Sequence, residues 1–263
     1  MFENIKGKVS LVTGSASGIG RHIAEKLAEY GSNIVISDLN LERSIEVAKE
    51  IEDKYKIKTY AVKMDVTNEL EVNSCIDSVV EKFGKIDVLV NNAGIQVISP
   101  LVDFDTNKWK QIFDIQVNGS FYTTRAVMNK MIKLKNGGRI IIIGSVHSFE
   151  ASKFKSAYVS AKHALHGLVK SIAKEGAEHN ISANLVAPGF VKTPLVEKQI
   201  PQQAIEFGIS EKEVVENVML GETVDKEFTT LDDVSDVVLF FAAYKSKALT
   251  GQSLVVSHGW CMR

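Results

Sequence analysis

The chain has 263 residues, 45% of them hydrophobic, which is enough to bury one sizeable core. Its 31 basic and 32 acidic residues nearly cancel, so the charge balance favours neither nucleic acid nor an anionic membrane surface. No apolar run is long enough for a bilayer, and the start, Met-Phe-Glu-Asn-Ile-Lys, has neither signal nor transit character. Cys75 and Cys261 lack metal-ligand or redox spacing, so no metal is expected and a reduced, cytoplasmic setting is.

Short apolar runs at 9–12, 33–37, 59–62, 86–90, 139–143, 182–186 and 253–256 predict strands. Helix-length periodic stretches lie between most of them, at 23–30, 41–55, 70–83, 158–179 and 231–243. Runs without polar alternation, such as Ile140-Ile141-Ile142-Ile143, suit a parallel sheet covered on both faces. The expected fold is α/β: one Rossmann-type, doubly wound parallel sheet forming a single domain over residues 1–263. Only 194–230 breaks the alternation, with two helical patterns (195–205 and 211–220) and no strand. Such an insertion late in an α/β sheet is expected to be a substrate lid, although an excursion without a role would look the same.

Thr13-Gly14-Ser15-Ala16-Ser17-Gly18-Ile19-Gly20 follows the first strand and opens the first helix. Glycines there let the backbone turn sharply and approach a pyrophosphate, whose charge a helix N-terminus favours. Asp38 ends the second strand, where a carboxylate accepts from the adenine-ribose hydroxyls and repels a 2′-phosphate. No cation flanks it, so NAD is preferred over NADP; an N-cap for the helix beginning at Leu41 is the competing role. Asp65 and Val66 follow the third strand, and Asn92, Ala93 and Gly94 the fourth, at the strand ends where open α/β sheets bind ligands.

Tyr158 and Lys162 are spaced to share one helix face. A free tyrosine titrates near about 10, and a neighbouring ammonium would bring it toward the working range. Ser145, just beyond the fifth strand, is placed to hold a reacting oxygen. Tyr-x-x-x-Lys alone is common on helix surfaces; downstream of a dinucleotide turn and a strand-ending serine it points to redox chemistry at an alcohol carbon.

Jointly, Thr13-Gly14-x-x-x-Gly18-Ile19-Gly20, Asp65-Val66, Asn91-Asn92-Ala93-Gly94, Asn118, Ser145, Tyr158-x-x-x-Lys162 and Pro188-Gly189 resemble the short-chain dehydrogenase/reductase family over essentially the whole chain. The resemblance implies a catalytic set of Asn118, Ser145, Tyr158 and Lys162. Tyr158 would be the acid/base, Lys162 its tuner and a ribose ligand, Ser145 a clamp on the oxygen, and Asn118 the anchor of a relay water. It also implies cofactor contacts at Pro188, Gly189, Val191 and Thr193, and a homotetramer.

Within the family the chain is most like members acting on small 3-hydroxy acids, through Gly94-Ile95-Gln96, Ser145-Val146-His147, Lys155-Ser156-Ala157-Tyr158 and the stretch from Thr193 to Ile200. That resemblance implies reversible oxidation of D-3-hydroxybutyrate to acetoacetate with NAD. Gln96, His147, Lys155 and Gln199 would hold the substrate carboxylate. One cation with neutral donors suits that task, because charge-assisted hydrogen bonds grip a ligand too small to bind by area. Any one of the four could be an ordinary surface or turn residue; together they flank the catalytic set. Phe190 stands where such members usually have tryptophan, and Ser257-His258-Gly259-Trp260 replaces the usual Asp-Gly-Gly-Trp. Trp260 would line the site or simply pack the C-terminus. Other substrates (a 3-oxoacyl-carrier-protein or a polyol) and a non-catalytic cofactor-binding regulator are the alternatives.

Overall fold

Val9–Thr13 is buried at every position, as a strand covered on both faces must be. It forms β1 of a seven-stranded sheet in a computed structural model that describes residues 2–262, with the backbone alone at Leu195. Around it lie β2 (Asn33–Asp38), β3 (Thr59–Lys63), β4 (Val88–Asn91), β5 (Gly138–Ile143), β6 (Ile181–Pro188) and β7 (Ser253–Val256). Every pairing is parallel, in the order β3-β2-β1-β4-β5-β6-β7. The order reverses between β1 and β4, and a crevice opens there beyond the strands' carboxyl ends.

Strand alternation divides the core in two. Leu11, Leu89, Ile140 and Ile142 pack on one face with residues of α3 (Glu69–Phe83), α5 (Gly119–Leu134) and α6 (Ser156–Gly176). Val12, Val90, Ile141 and Ile143 pack on the other with α1 (Gly18–Glu29), α2 (Leu41–Tyr55) and α9 (Leu231–Ala243). The isoleucine run is therefore apolar because successive side chains serve opposite layers.

Local chemistry sets the helix starts. Asn40 caps α2 by accepting from the Arg43 N–H at 3.0 Å, so Asp38 is released from that role. Between α4 (Thr106–Phe113) and α5 the chain makes a π-turn at Asp114–Asn118. That turn shifts the helical phase just where the resemblance placed a catalytic residue.

The stretch 194–230 carries two helical segments, as expected: α7 (Pro194–Phe207) and α8 (Glu211–Glu213), which runs on into a π-turn at Val214–Met219; residues 220–230 are not helical. It buries Val214, Met219 and Leu220 in a cluster of its own with Phe190, Val196, Ile200 and Phe228. A single parallel bridge, Val191 to Thr229, closes the excursion at its base. Among the described residues no helix is long and apolar enough to cross a membrane.

Candidate active site

Gly14 (φ +62°) and Gly18 (φ +56°) take the left-handed backbone that the turn after β1 requires. A Cβ on Gly20 would collide with the Gly14 carbonyl and the Asn92 amide, so α1 starts hard against β1. Asn92 ties the turn from behind, donating to Thr13 O at 2.9 Å and Gly14 O at 3.1 Å. Thr13 Oγ1 returns the contact, accepting from the Asn92 and Ala93 N–H groups at 3.0 and 3.1 Å. Ser17 stands at the N-cap of α1 with its side chain making no cap hydrogen bond. Its hydroxyl and the open helix terminus are disposed to take a phosphate.

The crevice above this turn is a continuous cleft of about 830 Å³. Gly14, Ser17, Gly18, Ile19, Asp38, Asp65, Val66, Asn92, Ala93, Gly94, Pro188, Gly189, Val191 and Thr193 all line it. Thr13 and Gly20 do not: they shape the turn from beneath. Asp38 accepts from the Ala16 N–H at 3.1 Å and the Asn40 N–H at 3.3 Å, which fixes its carboxylate at the cleft wall. These features fit a dinucleotide lying from Asp38 across the glycine turn to the Pro188 loop. Among the described residues no His/Cys/Asp/Glu group could hold a metal ion.

Ser145 begins a short turn by a reciprocal cap: its Oγ accepts from the His147 N–H at 3.2 Å, while Ser148 Oγ accepts from its own N–H at 3.2 Å. This cap aims His147 inward. Tyr158 and Lys162 enter the cleft from the first turns of α6, whose Ala157 and Ala161 are buried against Ile112. Tyr158 and Ser145 share a hydrogen bond that favours the phenolate, yet burial outweighs it and pushes the phenol up to about 12. Lys162 donates to Ile143 O at 2.7 Å, and its Nζ lies 5.3 Å from the Tyr158 ring centre. Burial draws this ammonium down to about 7. Burial therefore sets the direction for both groups, raising the phenol and lowering the ammonium.

Gln96, His147, Lys155 and Gln199 line one end of the cleft beside Tyr158. Gln199 Nε2 donates to Gln96 Oε1 at 3.2 Å, leaving Gln96 Nε2 and Gln199 Oε1 buried without partners. His147 Nδ1 is likewise buried and unpartnered. Desolvation, with Lys155 nearby, draws His147 down to about 3, so the imidazole is neutral. Lys155 is only 2% exposed and is drawn down to about 8 by burial. Its Nζ lies 4.4 Å over the Phe190 ring, and no carboxylate among the described residues pairs with it. Phe190 stacks on Trp260 at 5.2 Å, and His147 meets Trp260 edge-on at 5.4 Å. A buried cation and several vacant amide and imidazole atoms therefore face a cavity walled by aromatic rings. A buried cation beside such groups is the kind of surface that suits a small anion.

One expectation is corrected. Asn118 is exposed, bonds Asp114 Oδ1 at 2.8 Å and does not line the cleft. The buried amide of that π-turn is Gln116, 1% exposed, which does not line the cleft either; it donates to Ile95 O at 2.7 Å and leaves its Oε1 buried without a donor. The i, i+4 series Ile112, Gln116, Ser120, Thr124 is buried throughout, a stripe that marks Gln116 in the sequence and passes Asn118 by. Ser257 and His258, the departures in the last loop, also stand off the cleft. His258 Nδ1 instead pairs with Asp225 Oδ2 at 2.6 Å, fastening the 221–230 stretch to the loop that carries Trp260.

A doubly wound parallel sheet with a glycine turn at its switch point, and a tyrosine–lysine helix across the crevice, defines a nicotinamide-dependent oxidoreductase fold. The profile of the short chain dehydrogenase family matches residues 8–204, and the chain belongs to that family. It is 40% identical to a D-beta-hydroxybutyrate dehydrogenase of Rhizobium meliloti (strain 1021), over 96% of this chain and 98% of that one. It is 36% identical to a 3-oxoacyl-acyl-carrier-protein reductase of Aquifex aeolicus (strain VF5), over 97% and 98%. The solved structure of sorbitol-6-phosphate 2-dehydrogenase from Erwinia amylovora superposes with a TM-score of 0.93 at 31% identity, over 97% of this chain and 100% of that one.

Proposed function

We propose that the protein catalyses NAD-dependent, reversible oxidation of D-3-hydroxybutyrate to acetoacetate. The observation that carries this reading is Lys155: a buried cation with no carboxylate partner, set among Gln96, His147 and Gln199 and beside Tyr158. Burying such a charge is costly unless a ligand supplies the counter-charge. A small hydroxy acid supplies it and leaves its carbinol beside Tyr158.

Asp38 would take the adenine-ribose hydroxyls, the glycine turn with Ser17 the pyrophosphate, and Asp65 and Val66 the adenine. Lys162 and Tyr158 would hold the nicotinamide ribose, and Pro188, Gly189, Val191 and Thr193 would contribute the contacts to the nicotinamide end. The chemistry supplied by NAD, when bound, would be acceptance of the hydride released from the carbinol carbon. The chain's own work is to hold and move a proton. Lys155 and the amides fix the carboxylate, Ser145 holds the hydroxyl oxygen, and the Tyr158 phenolate takes its proton. A phenol pushed up to about 12 by burial needs a positive neighbour to ionise, and protonated Lys162, with its Nζ 5.3 Å from the ring centre, would be that neighbour. Gln116, with a vacant buried Oε1 in the turn packed on α6, takes over the relay amide expected of Asn118. Helix α7 and the chain to Thr230 act as a lid that excludes water from this step.

The test is NADH formation by the purified protein with NAD and each enantiomer of 3-hydroxybutyrate, beside 3-hydroxyvalerate and sorbitol with its 6-phosphate. Turnover of the D-acid alone supports the reading. Turnover confined to the polyol or its phosphate would reassign Lys155 to a different ligand and leave only the oxidoreductase class standing.

A further inference from the structure

Away from glycine, positive φ angles occur at Lys56, Lys135, Phe154, Asn180, Lys226 and His258. Lys56, Lys135 and Asn180 cap the ends of helical segments, where the left-handed conformation is routine. Phe154 (φ +65°) ends no helix; it stands two residues ahead of α6, and a bulky ring adopts that backbone only against strain. Something around it must hold it there.

Its contacts show what does. The Phe154 carbonyl accepts from the Ser99 N–H at 2.9 Å, joining the loop that carries Gln96. Its ring meets that of Phe207 edge-on, with centres 4.9 Å apart, and Phe207 is the last residue of α7, the helix that carries Gln199. The next residue along the chain is Lys155. Phe154 is thus the junction, behind the cleft, of the three segments that deliver Gln96, Lys155 and Gln199.

We propose that Phe154 is a positioning residue for the anion-binding cluster: clamped by Phe207, it holds the left-handed turn that delivers Lys155 into the cleft, so that seating α7 and placing Lys155 are one event. The proposal rests on the reading of Lys155 as the carboxylate ligand. It gives the covering helix a second task, since a helix docked incorrectly would leave the cavity without its cation.

The experiment compares the full-length protein with Phe207→Ala, Phe207→Leu, Phe154→Asn and the Phe154→Asn/Phe207→Ala pair. Asparagine accepts the left-handed backbone readily, so Phe154→Asn keeps the turn and dispenses with the clamp. Two readouts are taken: the KM for D-3-hydroxybutyrate beside kcat and the NADH Kd, and labelling of Lys155 by an amine-directed reagent, located by peptide mass spectrometry. Phe207→Ala is expected to expose Lys155 to the reagent and to raise the acid's KM roughly tenfold, with kcat and NADH binding little changed. Phe207→Leu, which keeps the apolar bulk and loses the ring edge, should shift both in the same direction. In the Phe154→Asn background, Phe207→Ala should add almost nothing. Unchanged Lys155 labelling in both Phe207 variants, or equal effects of Phe207→Ala in both backgrounds, overturns the proposal. Labelling needs no substrate, so increased labelling with an unmoved KM would uphold the coupling and instead overturn the carboxylate reading.

Discussion

The Phe190 and Trp260 rings lie nearly parallel, 4° apart in tilt and 5.2 Å between centres, and form one apolar wall of the cleft. Lys155 Nζ lies 4.4 Å from the centre of the Phe190 ring, so the wall and the cation meet there. A ligand with an anionic end and a short alkyl end satisfies both surfaces at once, which a polyol does not. On the proposed reading, this wall would set the length of alkyl chain that fits. Phe190→Ala is expected to move the kcat/KM preference from 3-hydroxybutyrate toward 3-hydroxyvalerate by roughly tenfold or more, as one methylene in an apolar pocket is worth about 1–3 kcal/mol. Competition between the two acids measures this directly; an unmoved ratio would mean that the alkyl end points elsewhere.

Lys155→Met removes the cation and keeps an unbranched apolar stem. Loss of a charge-assisted contact worth about 2–3 kcal/mol should raise the KM for the acid roughly 30- to 150-fold. NADH binding, followed by fluorescence titration, should stay within about twofold, because the expected dinucleotide contacts lie elsewhere in the cleft. Equal losses in both would show that the substitution disturbs the fold.

The same lysine gives the pH dependence a definite sign. In the folded enzyme Lys155 loses its proton near 8, against an ordinary value of 10.5. The kcat/KM for the acid should therefore carry a descending limb near pH 8 that vanishes in Lys155→Met. Stability runs the other way. Below about pH 8 folded and unfolded chains both hold the proton, and the full burial penalty applies. Between about 8 and 10.5 the unfolded chain binds more protons than the folded one, so stability contributed by this group rises with pH. Lys155→Met should thus raise Tm at neutral pH, by on the order of 1–3 kcal/mol of stability, and the gain should shrink toward pH 10.

Asn118→Ala should leave turnover within about twofold of the parent, since its side chain is exposed and bonds only Asp114. Gln116→Ala strips the Ile95 carbonyl of its donor and should cost about 1–3 kcal/mol of stability. Gln116→Asn, too short to reach both Ile95 O and the relay, should lower kcat while leaving the acid's KM nearly unchanged. Reversed effects at the two positions would restore Asn118 to the catalytic set.

The difference between these two residues marks where sequence reading stops. Strands such as Ile140–Ile143 were legible because doubly buried positions must be apolar, and the glycine turn because φ +62° at Gly14 and the contact at Gly20 exclude side chains. Tyr158 and Lys162 were legible because a regular helix preserves their spacing. Asn118 was not, since a π-turn adds a residue to the helical phase and rotates it outward, and only the i, i+4 stripe through Gln116 hints at which amide stays buried. The charge state of Tyr158 was also hidden: a neighbouring lysine lowers a phenol only when its own ammonium survives burial, and Lys162 is itself depressed to about 7. Asp38 was ambiguous until Asn40 was seen to take the cap of α2.

Asp38 provides the test of cofactor choice. Its carboxylate lines the cleft while accepting from the Ala16 and Asn40 N–H groups, so it serves the turn as well as the proposed ribose contact. Truncation to alanine would mix the two tasks. Asp38→Asn keeps an oxygen for the Ala16 N–H, removes the charge and gives up only the longer, exposed contact to the Asn40 N–H. Without that charge the ribose hydroxyls lose a charge-assisted acceptor, which should raise the KM for NAD roughly tenfold. The repulsion of a 2′-phosphate falls at the same time, so the ratio of kcat/KM for NAD over NADP should drop by more than either change alone. The neighbouring Leu39 and Asn40 still offer no cation, so the variant should become permissive toward NADP without coming to prefer it. A parent enzyme already indifferent to the phosphate would locate the adenosine away from Asp38 and leave that carboxylate a purely structural part of the glycine turn.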